Sequence, residues 1–450
     1  MFASVLIANR GEIAVRIART CRELDIEVIA VCSTEDRDSA VTRLADRTVL
    51  IGPAEARRSY SYPPALIEAA LATGAEAIHP GYGFLSEDPD FAEICAANDI
   101  TFVGPPPRLM AQLGDKATAR AVMAEAGLPV LPGTGALVDV DVAIAAAADI
   151  GYPVIVKAVA GGGGKGMAIA HDSAGLAVVF TTASASAQLL FGDARVYLER
   201  LVEGARHVEV QVLRDAAGNA VHVGERDCSV QRRYQKLIEE TPAPALPGAL
   251  ATTLGEAAVR GAHAVGYRGA GTFEFLVDDV GRHYFMEINC RIQVEHPVTE
   301  MVTGIDLVRE QLIIASGEPI SVRQQDIRPR GVALEARINI EDPDRGFAPT
   351  PGVLTALDLP GGPFVRVDTH GFVGARISPA YDSLLAKVVV WAPDRYQAMA
   401  RMDRALGEVR VEGPGIRSTT GFLRDVLAHP SFRDGKYTTA LVEQILAGRG

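Results

Sequence analysis

Long apolar runs, paired cysteines, basic clusters and lysine are all scarce in this 450-residue chain. Each scarcity excludes a class of protein. The longest uncharged run, residues 173–192, is interrupted by Ser, Thr and Gln. That is too polar for the roughly 20 hydrocarbon-facing residues of a membrane span. The N-terminus carries no basic stretch ahead of its apolar run, which argues against a signal peptide. The five cysteines (Cys21, Cys32, Cys95, Cys228, Cys290) show no CxxC spacing and are odd in number. They predict a reducing cytoplasm, with neither a disulfide framework nor a cysteine zinc site. With 44 basic against 56 acidic residues the net charge is −12, which argues against sequence-independent nucleic-acid binding. There is no internal repeat and no low-complexity linker. The expected protein is therefore cytoplasmic and needs neither membrane nor nucleic acid. What is present is ordinary globular composition, 48% hydrophobic and 22% charged, at a length of about three domains of roughly 150 residues each.

Lysine is the most telling shortage. Only Lys116, Lys157, Lys165, Lys236, Lys387 and Lys436 occur, against 38 arginines among the 44 basic residues. Where arginine serves almost everywhere, a retained lysine marks a place that needs a compact ammonium rather than a planar fork.

The first 115 residues alternate strands, predicted at 4–8, 27–32, 48–51, 76–79 and 101–103, with helical patterns. Ile13, Ile17, Cys21 and Leu24 fall at helical spacing within 12–24, and the helices predicted at 64–72 and 89–97 open on Pro. This alternation predicts a parallel, doubly wound sheet. Only Asn9-Arg10-Gly11-Glu12 follows the first strand, not GxGxxG, so a dinucleotide site there is unsupported. From about 130 to 330 the strands come in pairs: 154–158 with 167–170, 207–214 with 220–224, and 272–277 with 283–289. Each pair reads as an antiparallel hairpin. From about Gly331 short strands alternate with Gly/Pro turns, followed by a strand at 384–391 and a helix at 395–409.

Three clusters carry chemistry. In the first, Lys157 ends an apolar strand and Gly161-Gly162-Gly163-Gly164-Lys165-Gly166 follows. Four successive glycines expose backbone N–H groups that can close over phosphate oxygens, and Lys157 adds a cation. The pattern GxxxxGK[ST] is absent, so this is not a Walker A loop. In the second, alternation sets Glu274 on the face opposite Phe273 and Phe275, while Glu287, Asn289 and Arg291 share one face. Paired as a hairpin, Glu274, Glu287 and Asn289 converge into a hard oxygen set suited to Mg²⁺ bridging nucleotide phosphates. In the third, Arg291-Ile292-Gln293-Val294-Glu295-His296 packs a cation, an amide, a carboxylate and an imidazole into six residues. Arg291 offers a fork to a small anion such as bicarbonate, and Glu295 can take its proton. Residues 225–236 are similarly charge-dense and end on Lys236.

These strings resemble the biotin carboxylase family, the ATP-grasp component of biotin-dependent carboxylases such as the acetyl-CoA carboxylase of fatty acid biosynthesis. The resemblance spans essentially the whole chain. It begins with Ile7-Ala-Asn-Arg-Gly-Glu-Ile13 and Ile78-His-Pro-Gly-Tyr-Gly-Phe-Leu-Ser-Glu87. It continues through 225–236, Gly266-Tyr-Arg-Gly-Ala-Gly-Thr-Phe-Glu-Phe275, 287–300 and Glu335-Ala-Arg-Ile-Asn339. It implies a fold of α/β and α+β character: a Rossmann-like N-terminal domain at 1–115, an ATP-grasp domain at 116–330 with a glycine lid at about 131–202, and a C-terminal biotin carboxylase domain at 331–450. The implied reaction joins bicarbonate to the ureido nitrogen of biotin through carboxyphosphate, with ATP going to ADP and phosphate and Mg²⁺ or Mn²⁺ as the metal.

By the same resemblance, Lys116, Lys157 and His207, the lid residues Gly163 and Gly164, and the hinge Glu199-Arg200-Leu201-Val202 match ATP ligands. Glu274, Glu287 and Asn289 match metal ligands. Lys236, Arg291, Gln293, Val294 and Glu295 match the bicarbonate site, and Arg337 matches the arginine facing biotin. Three departures stand out. Tyr234 replaces a common His near the nucleotide, Ala160 replaces the first glycine of a longer run, and Cys290 replaces a common Thr and is read as packing. Implied partners are a biotin carboxyl carrier protein or domain, a carboxyltransferase subunit and a second copy in a dimer. The sequence has no Met-Lys-Met biotinylation motif, so the carrier is expected on another chain or an absent segment. Two rival readings are another ATP-grasp ligase acting through an acyl phosphate, and a non-catalytic ATP- or biotin-binding regulator. The first would not need the bicarbonate cluster with Arg337; the second would be expected to lose a metal ligand or the base.

Overall fold

The computed structural model describes residues 1–160 and 167–448. The glycine run with Lys165, and hence the contacts expected of Gly163 and Gly164, lies outside the described residues. The N-terminal strands β1 (Ser4–Ile7), β2 (Glu27–Ser33), β3 (Arg47–Gly52), β4 (Ala77–His79) and β5 (Thr101–Phe102) form one parallel sheet in the order β3-β2-β1-β4-β5. This is the doubly wound arrangement predicted. Helix α1 (Gly11–Glu23) buries Ile13, Ile17 and Cys21, the stripe read from the spacing. Asn9 Nδ2 donates to the carbonyls of Pro80 and Tyr82, both at 2.7 Å. It thereby ties the loop after β1 to the loop after β4.

Strands β6 (Val154–Ala158), β7 (Ala168–Ala170) and β8 (Val196–Arg200) make a small antiparallel sheet in the order β7-β6-β8. The helices Val140–Ile150 and Ser173–Phe191 pack against it. Among the described residues Ser173–Phe191 is long and apolar enough to cross a membrane by length and composition alone, a test that a helix packed against its own domain also meets. The exposed Thr181 and Thr182 hydroxyls donate to carbonyls four residues back. Leu176, Phe180, Ala183 and Ala187 turn one face of the helix into a local core.

The central element is an eight-stranded antiparallel sheet. It contains β9 (Arg206–Arg214), β10 (Ala220–Arg232), β11 (Gln235–Thr241), β12 (Gly269–Val277), β13 (His283–Asn289) and β14 (Val332–Asn339), followed by the strands Leu384–Ala392 and Val365–Thr369. The order is β13-β12-β9-β10-β11-β14 and then those two strands. The sheet does not stop at residue 331. β11 pairs with β14 from Ile238↔Ala336 to Thr241↔Ala333, so the C-terminal part extends the sheet of the middle part. β10 also runs on to Arg232, well beyond the strand predicted to end at 224. A bulge between His222 and Glu225 lets it bend while pairing with both β9 and β11.

Gly331 makes the turn into β14. It has φ +70°, and a Cβ there would lie 2.3 Å from the Ala392 carbonyl oxygen. Gly331→Ala therefore meets both left-handed strain and a backbone clash. The expected loss is roughly 2–4 kcal/mol, checked as a lower midpoint in chemical denaturation.

Candidate active site

The site is built on a row of acids. Glu209, Glu274 and Glu287 are direct partners on the adjacent strands β9, β12 and β13. A register shift after Glu274 keeps it opposite Glu287. The flanking Phe273 and Phe275 turn to the core, as the alternation predicted. Like charges directly opposite each other repel, and cations answer them. Lys236 Nζ lies 2.7 Å from Glu209 Oε2 and 3.4 Å from Glu274 Oε1. Arg226 Nε lies 2.6 Å from Glu209 Oε1, His207 Nε2 lies 2.9 Å from Glu274 Oε2, and Lys116 Nζ lies 2.6 Å from Glu287 Oε2. Burial works against the ionised Glu274, but Lys236 and His207 prevail and hold its carboxyl far below the usual range.

The loop after β13 turns back over this row. Arg291 is clamped by Glu87 (Nε–Oε2 2.9 Å) and donates to Gln293 Oε1 (2.9 Å) and Asn289 Oδ1 (3.1 Å). Gln293 Nε2 donates to Glu274 Oε1 at 3.3 Å. Glu295 caps the helix His296–Thr303 and is completely buried. Its Oε1 accepts from Lys236 Nζ at 2.5 Å and its Oε2 from Arg337 Nη2 at 2.9 Å. Burial alone would raise the Glu295 carboxyl; the charges of Lys236, Arg337 and Arg226 override it and hold the group well below its ordinary value. Arg337 also pairs with Glu239. Burial, and the nearby Glu295, push the Glu239 carboxyl up to about 7 against the pull of Arg337.

Lys236, Arg291, Gln293, Val294, Glu295 and Arg337 thus stand together, beside Glu274, Glu287, Asn289 and His207. The donor set suits a hard divalent cation. Two carboxylates face each other at one register position, and each is held by a flexible lysine ammonium that can be displaced. Asn289 turns its amide nitrogen to Glu274 (2.7 Å) and its oxygen to Arg291. Rotating the amide would present that oxygen to a metal.

Lys157 pairs with the buried Glu199, which also takes Arg120 Nε at 2.7 Å. Arg200 and Leu201 continue from β8, with their N–H groups donating to the Pro132 and Pro153 carbonyls. Val202 follows them toward β9. Tyr234 sits apart from the buried cluster. It is half-exposed at the β10–β11 turn with φ +67°, and partial burial, with the charge of Glu443, raises its hydroxyl above the ordinary value. Cys290 is buried in the core, and burial lifts its thiol well above the ordinary range.

Sequence reading missed Glu87, Arg120, Glu209, Arg226 and Glu239. Glu209 had a signal: His207, Glu209 and Gln211 alternate with Val208, Val210 and Val212. The others face the site only through pairings between distant segments.

Comparison with known proteins places these residues in context. The biotin carboxylase N-terminal domain model matches residues 1–110. The ATP-binding domain model of carbamoyl-phosphate synthase L chain matches 115–323, and the biotin carboxylase C-terminal domain model matches 335–444. The chain is 49% identical over 445 residues to a biotin carboxylase of Nostoc sp., covering 99% of each. Among solved structures it superposes with a TM-score of 0.96 on the biotin carboxylase domain dimer of Hydrogenobacter thermophilus 2-oxoglutarate carboxylase, a complex with MgADP, ADP and bicarbonate. There the identity is 44%, with 99% of this chain and 98% of that one covered. The Campylobacter jejuni biotin carboxylase–β-γ-ATP complex gives the same TM-score and identity, with 99% of each chain covered.

The depressed Glu295 carboxyl fixes the sign of a pH effect. Its contribution to stability is full above its ordinary value of 4.5 and is lost as pH falls from there through its lower folded value. The stability difference between the parent and Glu295→Gln should be constant from about pH 8 to 5 and narrow below about 4.5. Thermal unfolding midpoints across that range check this. A difference that instead shrank between pH 8 and 6 would contradict the assignment.

Proposed function

The chain belongs to the biotin carboxylase family and joins bicarbonate to biotin at the expense of ATP; we propose that Lys236, Arg291, Glu295 and Arg337 run this chemistry. The observation that carries the assignment is the fully buried Glu295 carboxylate, held between Lys236 and Arg337 beside the Arg291 guanidinium.

Bicarbonate entering this pocket competes for Lys236 and Arg291. Glu295 then loses cationic contact and gains an anionic neighbour, and both changes raise its proton affinity. A group held ionised by Lys236 and Arg337 thereby becomes a base when its substrate arrives. It takes the bicarbonate proton, and the freed oxygen attacks the γ-phosphorus of ATP while Lys157 and Lys116 offset charge on the phosphates. Glu274, Glu287 and Asn289 would hold Mg²⁺ or Mn²⁺, which neutralises charge on the phosphate oxygens. The carboxyphosphate formed breaks down to CO₂ and phosphate, and phosphate can take the proton of the biotin ureido nitrogen. Arg337 leaves Glu295 to stabilise the enolate-like oxygen of biotin. Gly163 and Gly164 would close over the phosphates, with Glu199 to Val202 and His207 lining the rest of the nucleotide site and Tyr234 at its edge.

The family works with a biotin carboxyl carrier and a carboxyltransferase. For this chain we place the biotin on a carrier protein or domain delivered to Arg337 and set the enzyme in the cytoplasm, where its five free, buried cysteines stay reduced. We take a homodimer as its working state.

The test is ATP turnover with and without bicarbonate, and with and without free biotin. A ligase for another carboxylate would ignore bicarbonate, and a regulator would bind ATP without turnover. Glu295→Gln should keep ATP binding and lose roughly a hundredfold or more of bicarbonate-dependent turnover; near-normal turnover at neutral pH would remove Glu295 from the role. Lys236→Arg keeps the charge but cannot seat a planar fork among Glu209, Glu274 and Glu295. Carboxylation should fall at least tenfold or so, and a parent-like rate would show that charge alone suffices.

A further inference from the structure

Of the six lysines, Lys387 belongs to neither the nucleotide nor the bicarbonate set, yet it is completely buried. It lies on the strand Leu384–Ala392, directly across from Arg337. Its ammonium meets three acceptors from three parts of the chain. It donates to the Val294 carbonyl oxygen at 2.8 Å. It lies 3.0 Å from Glu12 Oε1 on α1 and 3.9 Å from Asp368 Oδ2 on the strand Val365–Thr369. Glu12 also accepts from the Tyr82 hydroxyl, and Asp368 is held by Arg366 at 2.9 and 2.7 Å.

The Val294 carbonyl begins the peptide that ends at the Glu295 nitrogen, so its direction sets where Glu295 leaves the backbone. One residue before the cap Glu295, this carbonyl lies outside the helix's own bonding and must find its donor elsewhere. Residue 297 is proline and has no N–H. The next amide, Val298, donates to the Glu295 carbonyl instead. The neighbouring Gln293 carbonyl already has its partner in His296 Nδ1 at 2.8 Å. Among the described residues, Lys387 is the donor that the Val294 carbonyl has. A tetrahedral ammonium can address the three acceptors at once, as a planar guanidinium cannot.

We propose that Lys387 is a positioning residue for the carboxylation step: by holding the Val294 carbonyl it sets the peptide that aims Glu295 between Lys236 and Arg337. The proposal rests on the reading of Glu295 as the bicarbonate base. Through Glu12 and Tyr82 the same ammonium connects that aim to the N-terminal loop after β4.

The experiment compares Lys387→Met, Glu12→Gln and the double variant Glu12→Gln/Lys387→Met, with Glu295→Gln as reference. KM and kcat are measured for bicarbonate and for ATP, together with thermal unfolding. Lys387→Met should lower kcat/KM for bicarbonate by roughly tenfold to a hundredfold and leave the KM for ATP within about twofold. The double variant leaves no unpaired Glu12 carboxylate in the interior, and Asp368 keeps Arg366. It should fold like the parent and retain the bicarbonate defect. Glu12→Gln alone keeps the lysine on Val294 and should stay within about threefold of the parent.

Parent-like bicarbonate kinetics in the double variant would overturn the proposal. So would an equal decline of the bicarbonate and ATP constants, or a double variant that fails to fold, since either would assign the lysine to the fold alone. If Glu295→Gln itself keeps full bicarbonate-dependent turnover, the base assignment fails instead. A damaged Glu295→Gln beside an unchanged Lys387→Met sinks only the role of the lysine.

Discussion

Three glutamates abreast on neighbouring strands, Glu209, Glu274 and Glu287, set the terms for everything around them. Buried like charges at direct cross-strand positions repel one another, and burial itself penalises ionisation. The arrangement persists because each acid has a cation from a different segment: Arg226 from β10, Lys236 from β11, His207 from β9 and Lys116 from the start of a helix. Removing one member of a fully buried pair such as Glu209–Arg226 typically costs roughly 3–5 kcal/mol. The same charges that endanger the fold are what a polyphosphate and its metal require. Lys116 and Lys236 now neutralise carboxylates, and both are free to turn to phosphate or bicarbonate oxygens when those arrive.

The continuity of the sheet explains why the carboxylation side stands in register with the nucleotide side. β11 carries Lys236 and Glu239, and β14 beside it carries Glu335 and Arg337. Glu239 and Glu335 are direct partners there. Arg337 is therefore aligned with Lys236 by backbone pairing rather than by a hinge between separate bodies. Glu295 enters from above as the cap of a short helix and completes the group. Strand pairing sets where Lys236 and Arg337 stand, and the turn at 291–295 supplies the acid and its neighbours.

What could be read from the sequence was local. The periodicity of α1, the parallel N-terminal order, and the opposition of Glu274 to its phenylalanines all follow from spacing within one or two elements, and the structure has each of them. The convergence of Glu274, Glu287 and Asn289 needed only one hairpin. What escaped was non-local. Glu87 reaches Arg291 across 204 residues of chain, and Arg226 meets Thr299 across 73; no periodicity encodes such pairings. The pairing of β11 with β14 likewise carries the sheet past residue 331, where the resemblance implied a domain boundary.

The lysine shortage unites these observations. Lys116, Lys157, Lys236 and Lys387 each end in a pocket of carboxylate or carbonyl oxygens, whereas Lys436 is exposed. Buried arginines at the same site behave differently: Arg226 and Arg291 are fixed by three or more directional bonds apiece. A guanidinium gains from a rigid fork and loses by leaving it. An ammonium is a point charge on a flexible stem, and it can exchange one oxygen for another with little change of direction. In a catalytic site that must accept ATP, bicarbonate and biotin in turn, groups that hold a shape and groups that hand over charge are both needed. Arg226 holds shape, Lys116 and Lys236 hand over charge, and Arg337 and Lys387 cross that division, the first by turning to biotin and the second by holding the Val294 carbonyl.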